Sequence, residues 1–411
     1  MGVHNSRMVS RDAALRFELT QAPPQFVDDP YPWYAALREH DPVHAMQGGV
    51  FLSRYDDALA VYREPRASSD KKIEFKPKFG DSPLYEHHTT SLVFSDPPLH
   101  TRARRLIMGA LNQRAITRME GDVLRLVDSL LERMAEKCEL DFIEDFAAKI
   151  PVEVIGNLLA VPRAERGPLR AWSLAILSGL EPAPGKEILE RGNRAVTDFI
   201  AYLRTLVAAR RKNPGDYETD VLTRLIQGEK DGERLTEAEL HHNCIFLLNA
   251  GHETTTNLIG NGMWLLLSHP QELARLRADP ALIPSAVEEM LRCEGPIQLN
   301  NRRLTAPMEL GDKTLPEGAF ITIGIGAANR DPAQFPEAER FDVGRKPNRH
   351  VAFGQGDHAC AGMNVARMEG RIAFSRLLAR FPKFDLAGQP ERDRRIRFRG
   401  FRKLPVRVAP T

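Results

Sequence analysis

Phe353-Gly354-Gln355-Gly356-Asp357-His358-Ala359-Cys360-Ala361-Gly362 places a cysteine at the end of a tight glycine-rich turn, just ahead of a long helical run from Met363 to Phe381. A thiolate there faces the backbone N–H groups of a helix N-terminus, which lower a thiol's pKa and stabilise a negative sulfur ligand. The other cysteines lack this setting. Cys244 and Cys293 fall within apolar helical periodicity and Cys138 near a helix end, positions that suit inert packing. No C-x-x-C pair occurs among the 4 cysteines, which argues against a disulfide scaffold and a zinc ribbon. Gly354-x-Gly356-x-x-Ala359 also fits a loose dinucleotide fingerprint, but the βαβ unit and the acidic strand end that give that pattern meaning are missing.

Upstream, Thr236-Glu237-Ala238-Glu239 is a capping box, with Leu235 and Leu240 placed as its hydrophobic staple. The run it opens continues to about Ser268, where His269-Pro270 stops it, giving a helix roughly 50 Å long. Its neighbours are apolar, so the helix is expected in the core. Yet Ala250, Glu253, Thr254 and Asn257 recur at i, i+3, i+4 and i+7, placing an acid, a hydroxyl and an amide on one face. Gly251 costs about 1 kcal/mol in mid-helix relative to Ala, and Thr254, Thr255 and Thr256 can each bond a carbonyl one turn back, so a local groove is expected. His252-Glu253 begins the zinc motif H-E-x-x-H, but position 256 is Thr and the second ligand is absent.

The composition bounds the remaining possibilities. The chain has 411 residues, 42% apolar and 27% charged, enough for a large soluble core and too apolar for disorder. Its net charge of +2 argues for neither nucleic acid nor an anionic membrane. No apolar leader or membrane-length apolar run is visible, so the protein is expected to be cytoplasmic, neither exported nor helix-anchored. Met1-Gly2 with Ser6 matches the short N-myristoylation pattern, which arises easily by chance. Between Tyr31 and Tyr62 the pattern reads helix, two short strands and helix. From Ala67 to Phe94 it dissolves into Lys, Pro, Gly, Ser and His, a stretch expected to be an irregular substrate lid. Helix dominates from Asp96 to Leu291, and short β pieces follow, at Met308 to Leu310 and Phe320 to Ile325.

Taken together these motifs resemble the soluble, bacterial-type cytochrome P-450 superfamily of haem-thiolate monooxygenases. The family signature F-G-x-G-x-[RH]-x-C-x-G is met by Phe353, Gly354, Gly356, His358, Cys360 and Gly362; A-G-x-[DE]-T by Ala250, Gly251, Glu253 and Thr254; and E-x-x-R by Glu289 and Arg292. The resemblance implies a mainly α fold with small β-sheets (α+β) and a long central helix over a buried haem. It implies one domain over 1–411, with a helix-rich core at about 95–295 and 360–382 and a β-rich region from about 30–65, 296–325 and 385–411.

It further implies haem b, held non-covalently with Cys360 as iron ligand and with His100, Arg104, Arg302 and His358 as propionate contacts. Arg303 is the alternative to Arg302. Thr254 and Glu253 become the proton-handling pair, and Phe246, Ala250, Gln298, Leu299, Phe398 and Phe401 the substrate pocket. Glu289, Arg292 and Arg340 become a buried charge cluster. Because the family fold uses nearly the whole chain, electrons are expected from a separate ferredoxin or flavodoxin with its reductase, docking on Arg102, Arg105, Arg114, Arg367 and Arg371. The expected reaction inserts one atom of O2 into an apolar small molecule. A haem-thiolate protein that binds ligand or gas without turnover is the alternative, disfavoured by the presence of both Glu253 and Thr254.

Overall fold

The computed structural model describes residues 9–218, 220–228 and 234–409; the Gly2 and Ser6 of the acylation pattern lie outside them. The chain divides into two compact units, each assembled from separate stretches. One comprises residues up to Ser68, Asn261–Ala359 and Arg392–Phe401; the other comprises Ser69–Gly260, Cys360–Glu391 and Arg402 onward.

The first unit is built on a five-stranded sheet. Val43–Met46 pairs antiparallel with Gly49–Leu52, which runs parallel to Phe320–Gly324 in the register Val50 with Ile321. Leu299–Leu304 then pairs antiparallel with Phe320–Gly324, and Ala67–Ser68 closes the far edge. Two apolar clusters form around the strands and the helices Tyr31–His40 and Tyr55–Arg63. One includes Leu52, Val61, Leu304, Ile321, Ile323 and Phe335, the other Phe26, Tyr34, Leu37, Phe51 and Leu299. Both helices and their intervening hairpin follow the expected pattern to within a residue or two.

The second unit is helical. Helices Leu99–Ala110, Gln113–Lys137, Lys149–Leu158, Leu169–Ser178 and Lys186–Lys212 belong to it, as do the long helix Glu237–Ser268 through Gly260 and the helix Met363–Arg380. The expected capping box is present: Thr236 N–H donates to Glu239 Oε2 at 2.8 Å and Glu239 N–H to Thr236 Oγ1 at 3.2 Å. Among the described residues, no helix is long and apolar enough to cross a membrane.

Three expectations change. The segment 67–94 is not irregular: it carries the helices Lys72–Phe79 and Pro83–Thr90, the second capped by Ser82, whose side chain accepts from Tyr85 N–H. Their buried face is Phe75, Phe79, Leu84, His87 and His88. With two histidines serving as core residues, helical apolar periodicity is hidden from a reading that counts histidine as polar. Second, the C-terminal β piece is not all part of the β-rich region. Pro405–Ala409 pairs with Glu139–Asp141 and Lys383–Leu386 in a three-stranded sheet of the helical unit. Third, Cys138 is not packed: it caps its helix with φ +59° and is exposed, whereas Cys244 and Cys293 are buried as expected.

Candidate active site

The glycine-rich turn belongs to the first unit up to Ala359. Gly354 and Gly356 both take positive φ, +65° and +69°, which only glycine adopts without strain. At Gly356 a Cβ would also stand 2.5 Å from the Tyr62 carbonyl oxygen, so the turn needs glycine twice over. His358 ends a short 3-10 turn, Gly356–His358, and Phe353 lies beside the His350 ring at 5.9 Å.

In the same unit Arg302 is buried beneath Tyr62, 5.5 Å from that ring, and donates to Asn300 Oδ1 at 3.1 Å and Asn301 O at 2.9 Å. Its neighbour Arg303 lies over Phe320 instead. Strand alternation puts the two on opposite faces of the sheet, a choice the sequence left open.

The Glu289–Arg292 pair is fully buried, each side chain 0% exposed. Arg292 forks onto Glu289 at 2.7 and 2.8 Å and donates to the carbonyl oxygens of Asn329, Ala338 and Arg340 at 2.9, 2.7 and 2.9 Å. Here the expectation for Arg340 is corrected. Its side chain is 54% exposed and pairs with Glu337, so that only its carbonyl joins the network. The second cation on Glu289 is Arg345, at 3.0 Å, joined by Asn348 Nδ2 at 3.0 Å. The family resemblance pointed to Arg340, which lies in the irregular meander from Asn329 to Asn348. The meander turns before the chain returns, which brings Arg345 back to the carboxylate.

The second unit holds Cys360. Burial pushes its thiol up, opposed by a hydrogen bond from Gly362 N–H and by the charges of Arg104 and Arg367. His100 and Arg104, one turn apart on Leu99–Ala110, share a face; His100 is buried and Arg104 half-buried. On the long helix, Leu248, Asn249, His252 and Glu253 are 0–3% exposed, whereas Ala250 is open and Phe246, Gly251 and Thr254 are partly so. These four, with the partly exposed Leu247, occupy one angular sector of the middle of the helix. Gly251 has a packing reason as well: a Cβ there would lie 2.4 Å from Ile155 Cδ1. Thr254 Oγ1 donates to the Ala250 carbonyl at 2.7 Å and Thr256 Oγ1 to that of His252 at 2.9 Å, as expected. Thr255 differs, for its hydroxyl bonds Glu369 on Met363–Arg380. Glu369 is buried, and that burial raises its carboxyl to about 8. Nothing local in the sequence marked it.

The predicted pocket residues divide. Phe246 and Ala250 face open space. Gln298, Leu299, Phe398 and Phe401 do not: they are 1–5% exposed within the first unit, Gln298 Nε2 donating to Gly295 O at 2.8 Å and Phe401 packing on Trp264 at 5.5 Å. Of the expected basic dock, Arg105, Arg114 and Arg371 are exposed and Arg367 is half-buried, whereas Arg102 is tied to Glu239 at 2.5 Å.

In their chemistry these features suit a dianionic, thiolate-ligated group. The Cys360 sulfur accepts from an N–H at a helix start and feels the positive charges of Arg104 and Arg367, small and apolar side chains are open in the middle of the long helix, and an arginine is buried on the sheet.

Comparison with known proteins agrees. The family model described as "Cytochrome P450" matches residues 180–405. "Cytochrome P450 107B1" of Saccharopolyspora erythraea is 38% identical over 93% of this chain and 96% of its own. The "6-deoxyerythronolide B hydroxylase" of the same organism is 36% identical over 92% and 96%. Among solved structures, P450BioI, in complex with an acyl carrier protein bearing hexadec-9Z-enoic acid, superposes with a TM-score of 0.88 at 32% identity, covering 94% of this chain and 100% of its own. One of these relatives is named a hydroxylase, and none of the names supports ligand binding without turnover. A cysteine on a glycine turn, an acid and alcohol on a core helix and these matches have one common reading: the chain belongs to the cytochrome P-450 family and is a haem-thiolate monooxygenase of small molecules.

Proposed function

We propose that Cys360 is the axial thiolate of haem b, with His100, Arg104, Arg302 and His358 neutralising its two propionates. The observation that carries this reading is the position of Cys360 at the end of the glycine turn and the start of a helix, where its sulfur accepts from Gly362 N–H and feels the charges of Arg104 and Arg367. When bound, the haem supplies O2 binding and activation, the thiolate favouring O–O cleavage. The chain supplies position and protons. Thr254 Oγ1 already donates to the Ala250 carbonyl, which leaves its lone pairs to accept from water on the open part of the helix, and Glu253 links that water to solvent. Phe246 and Ala250 offer an apolar surface, so the substrate is an apolar small molecule. Electrons come from a ferredoxin or flavodoxin with its reductase, docking on the exposed Arg105, Arg114 and Arg371, and the enzyme works in the cytoplasm.

Two substitutions test the reading. Cys360→Ser is expected to abolish the 450 nm band of the reduced carbon monoxide complex; a band that persists moves the ligand to another cysteine. Thr254→Ala is expected to bind substrate with a nearly unchanged dissociation constant, followed by the Soret shift, while product per NAD(P)H consumed falls and hydrogen peroxide rises. Unchanged coupling with weakened substrate binding would make Thr254 a pocket residue.

A further inference from the structure

The helical unit holds a cleft that oxygen chemistry at Thr254 does not use. It has a volume of about 550 Å3 and lies between the helices Lys186–Lys212 and Pro83–Thr90 and the first turns of Glu237–Ser268. That is within the range of small-molecule sites, roughly 300–1,000 Å3. His241 in its wall stands well before Thr254, about 20 Å back along the helix.

On Lys186–Lys212 the lining residues Ile200, Arg204, Val207 and Arg211 recur at i, i+4, i+7 and i+11, so one face carries two cations on an apolar strip. Arg211 is already paired with Glu237. Arg204 is exposed and has no hydrogen bond or ion pair among the described residues, and the carboxylate of the exposed Glu86 has none either. His241 is 6% exposed, and its Nε2 has no hydrogen-bond partner among the described residues. A buried ring nitrogen left unbonded is costly unless something in the cleft bonds it. Burial lowers the His241 pKa, with Arg204 and Arg211 adding to the effect and Glu237 opposing it, so the ring is neutral at pH 7 and keeps one N–H to donate.

The two sides of the cleft differ in sign. Around His241 stand two guanidiniums and one carboxylate, an excess of positive charge. The opposite wall is Pro83–Thr90, which bonds His242 Nδ1 through Thr90 Oγ1 and lines the cleft with Glu86, one turn before Thr90.

We propose that this cleft binds a short zwitterion with an apolar body, of the class of a dipeptide of apolar residues, with its carboxylate on Arg204 and the His241 ring N–H and its ammonium on Glu86. The guanidinium fork and the ring N–H suit a carboxylate, and Ile200, Val207 and Ala238 cover apolar side chains. A simple anion meets the like charge of Glu86, and a simple cation that of Arg204, so neither satisfies both sides. Arg204 and Glu86 line one cleft without pairing, which asks for a ligand whose two charges are several bonds apart.

The test titrates leucyl-leucine, its N-acetyl derivative and its C-terminal amide into the haem-loaded protein by calorimetry. The His241 ring, assigned through His241→Gln, is followed by NMR in the reduced carbon monoxide complex. Leucyl-leucine is expected to bind at one site, move the His241 resonance and leave the Soret band in place. Removing either charge from the ligand is expected to weaken binding about three- to tenfold, as for partly exposed charge-assisted bonds. Arg204→Gln should weaken leucyl-leucine as much as amidation does and make amidation itself neutral, and Glu86→Gln should do the same for acetylation. Both side chains are exposed, so neither variant puts the fold at stake. Absence of binding, or binding that leaves His241 unmoved, makes the cleft an ordinary solvated surface and overturns the proposal. An acetylated peptide that binds as tightly as leucyl-leucine makes it an anion site and overturns the zwitterion. A Soret shift that persists in Arg204→Gln places the dipeptide over the haem and overturns the proposal as well.

Discussion

The helices Ile283–Cys293 and Glu237–Ser268 both bury polar side chains, and they treat them in opposite ways. In the first, Glu289 accepts from Arg292, Arg345, Asn348 and the Asp342 N–H, and Arg292 donates to Glu289 and three carbonyl oxygens. In the second, Asn249 Oδ1, Asn257 Nδ2 and both ring nitrogens of His252 have no hydrogen-bond partner among the described residues. The contrast separates architecture from chemistry. A buried charge saturated by fixed partners holds backbone in place, here the meander from Asn329 to Asn348 that leads to the cysteine turn. Buried polar groups left with bonding capacity are expensive unless water, ligand or protons use it.

The contrast breaks most readily at Arg292. Arg292→Ala strands Glu289 in the core and is expected to cost about 3–5 kcal/mol, a large part of a typical fold's stability. Expression yield and haem loading should both collapse; a soluble, fully loaded variant would return the pair to an ordinary i,i+3 contact.

Glu369 sharpens the contrast from the other side, as a buried carboxyl whose side chain bonds the uncharged Thr255. Its folded value of about 8 lies above the ordinary 4.5, so the folded state binds the extra proton between those values. Stability is therefore full below about pH 4.5 and falls as pH rises toward 8. Glu369→Gln should flatten that fall, becoming more stable than the parent by as much as a few kcal/mol at pH 8 and little different at pH 4. Denaturant titrations at the two pH values measure it, and parallel curves for parent and variant would show that Glu369 titrates alike in the folded and unfolded states.

Glu294 is the saturated counterpart. Burial alone would raise it, but Arg399, Arg392 and Arg330 bring it down to about 2. Its contribution is present above the ordinary 4.5 and lost as pH falls toward 2, so Glu294→Gln should narrow the stability difference between pH 5 and pH 3. The smallest effect is expected at Arg340. Only its carbonyl serves the network, so Arg340→Ala should change stability by less than about 0.5 kcal/mol, whereas Arg345→Ala should cost several times more. Equal losses in the two variants would place the Arg340 side chain in the network after all.

What the sequence determined by itself is what short-range chemistry encodes. The capping box at Thr236, the helical period to Ser268, the glycines before Cys360 and the hairpin after Tyr31–His40 each depend on residues a few positions apart, and each is formed as read. The threonine back-bonds at positions 254 and 256 were legible for the same reason. What only the tertiary structure decided are meetings across long separations with no periodic trace. Arg345 rather than Arg340 reaches Glu289 because the meander reverses, and Glu369 finds Thr255 through the packing of two helices. His87 finds Asn249 because a segment that reads as loop folds its histidines inward. A backbone hydrogen bond or a cap is specified within one turn of chain. A buried polar contact is selected by which distant groups can satisfy one another once the core has closed, and no local pattern carries that information.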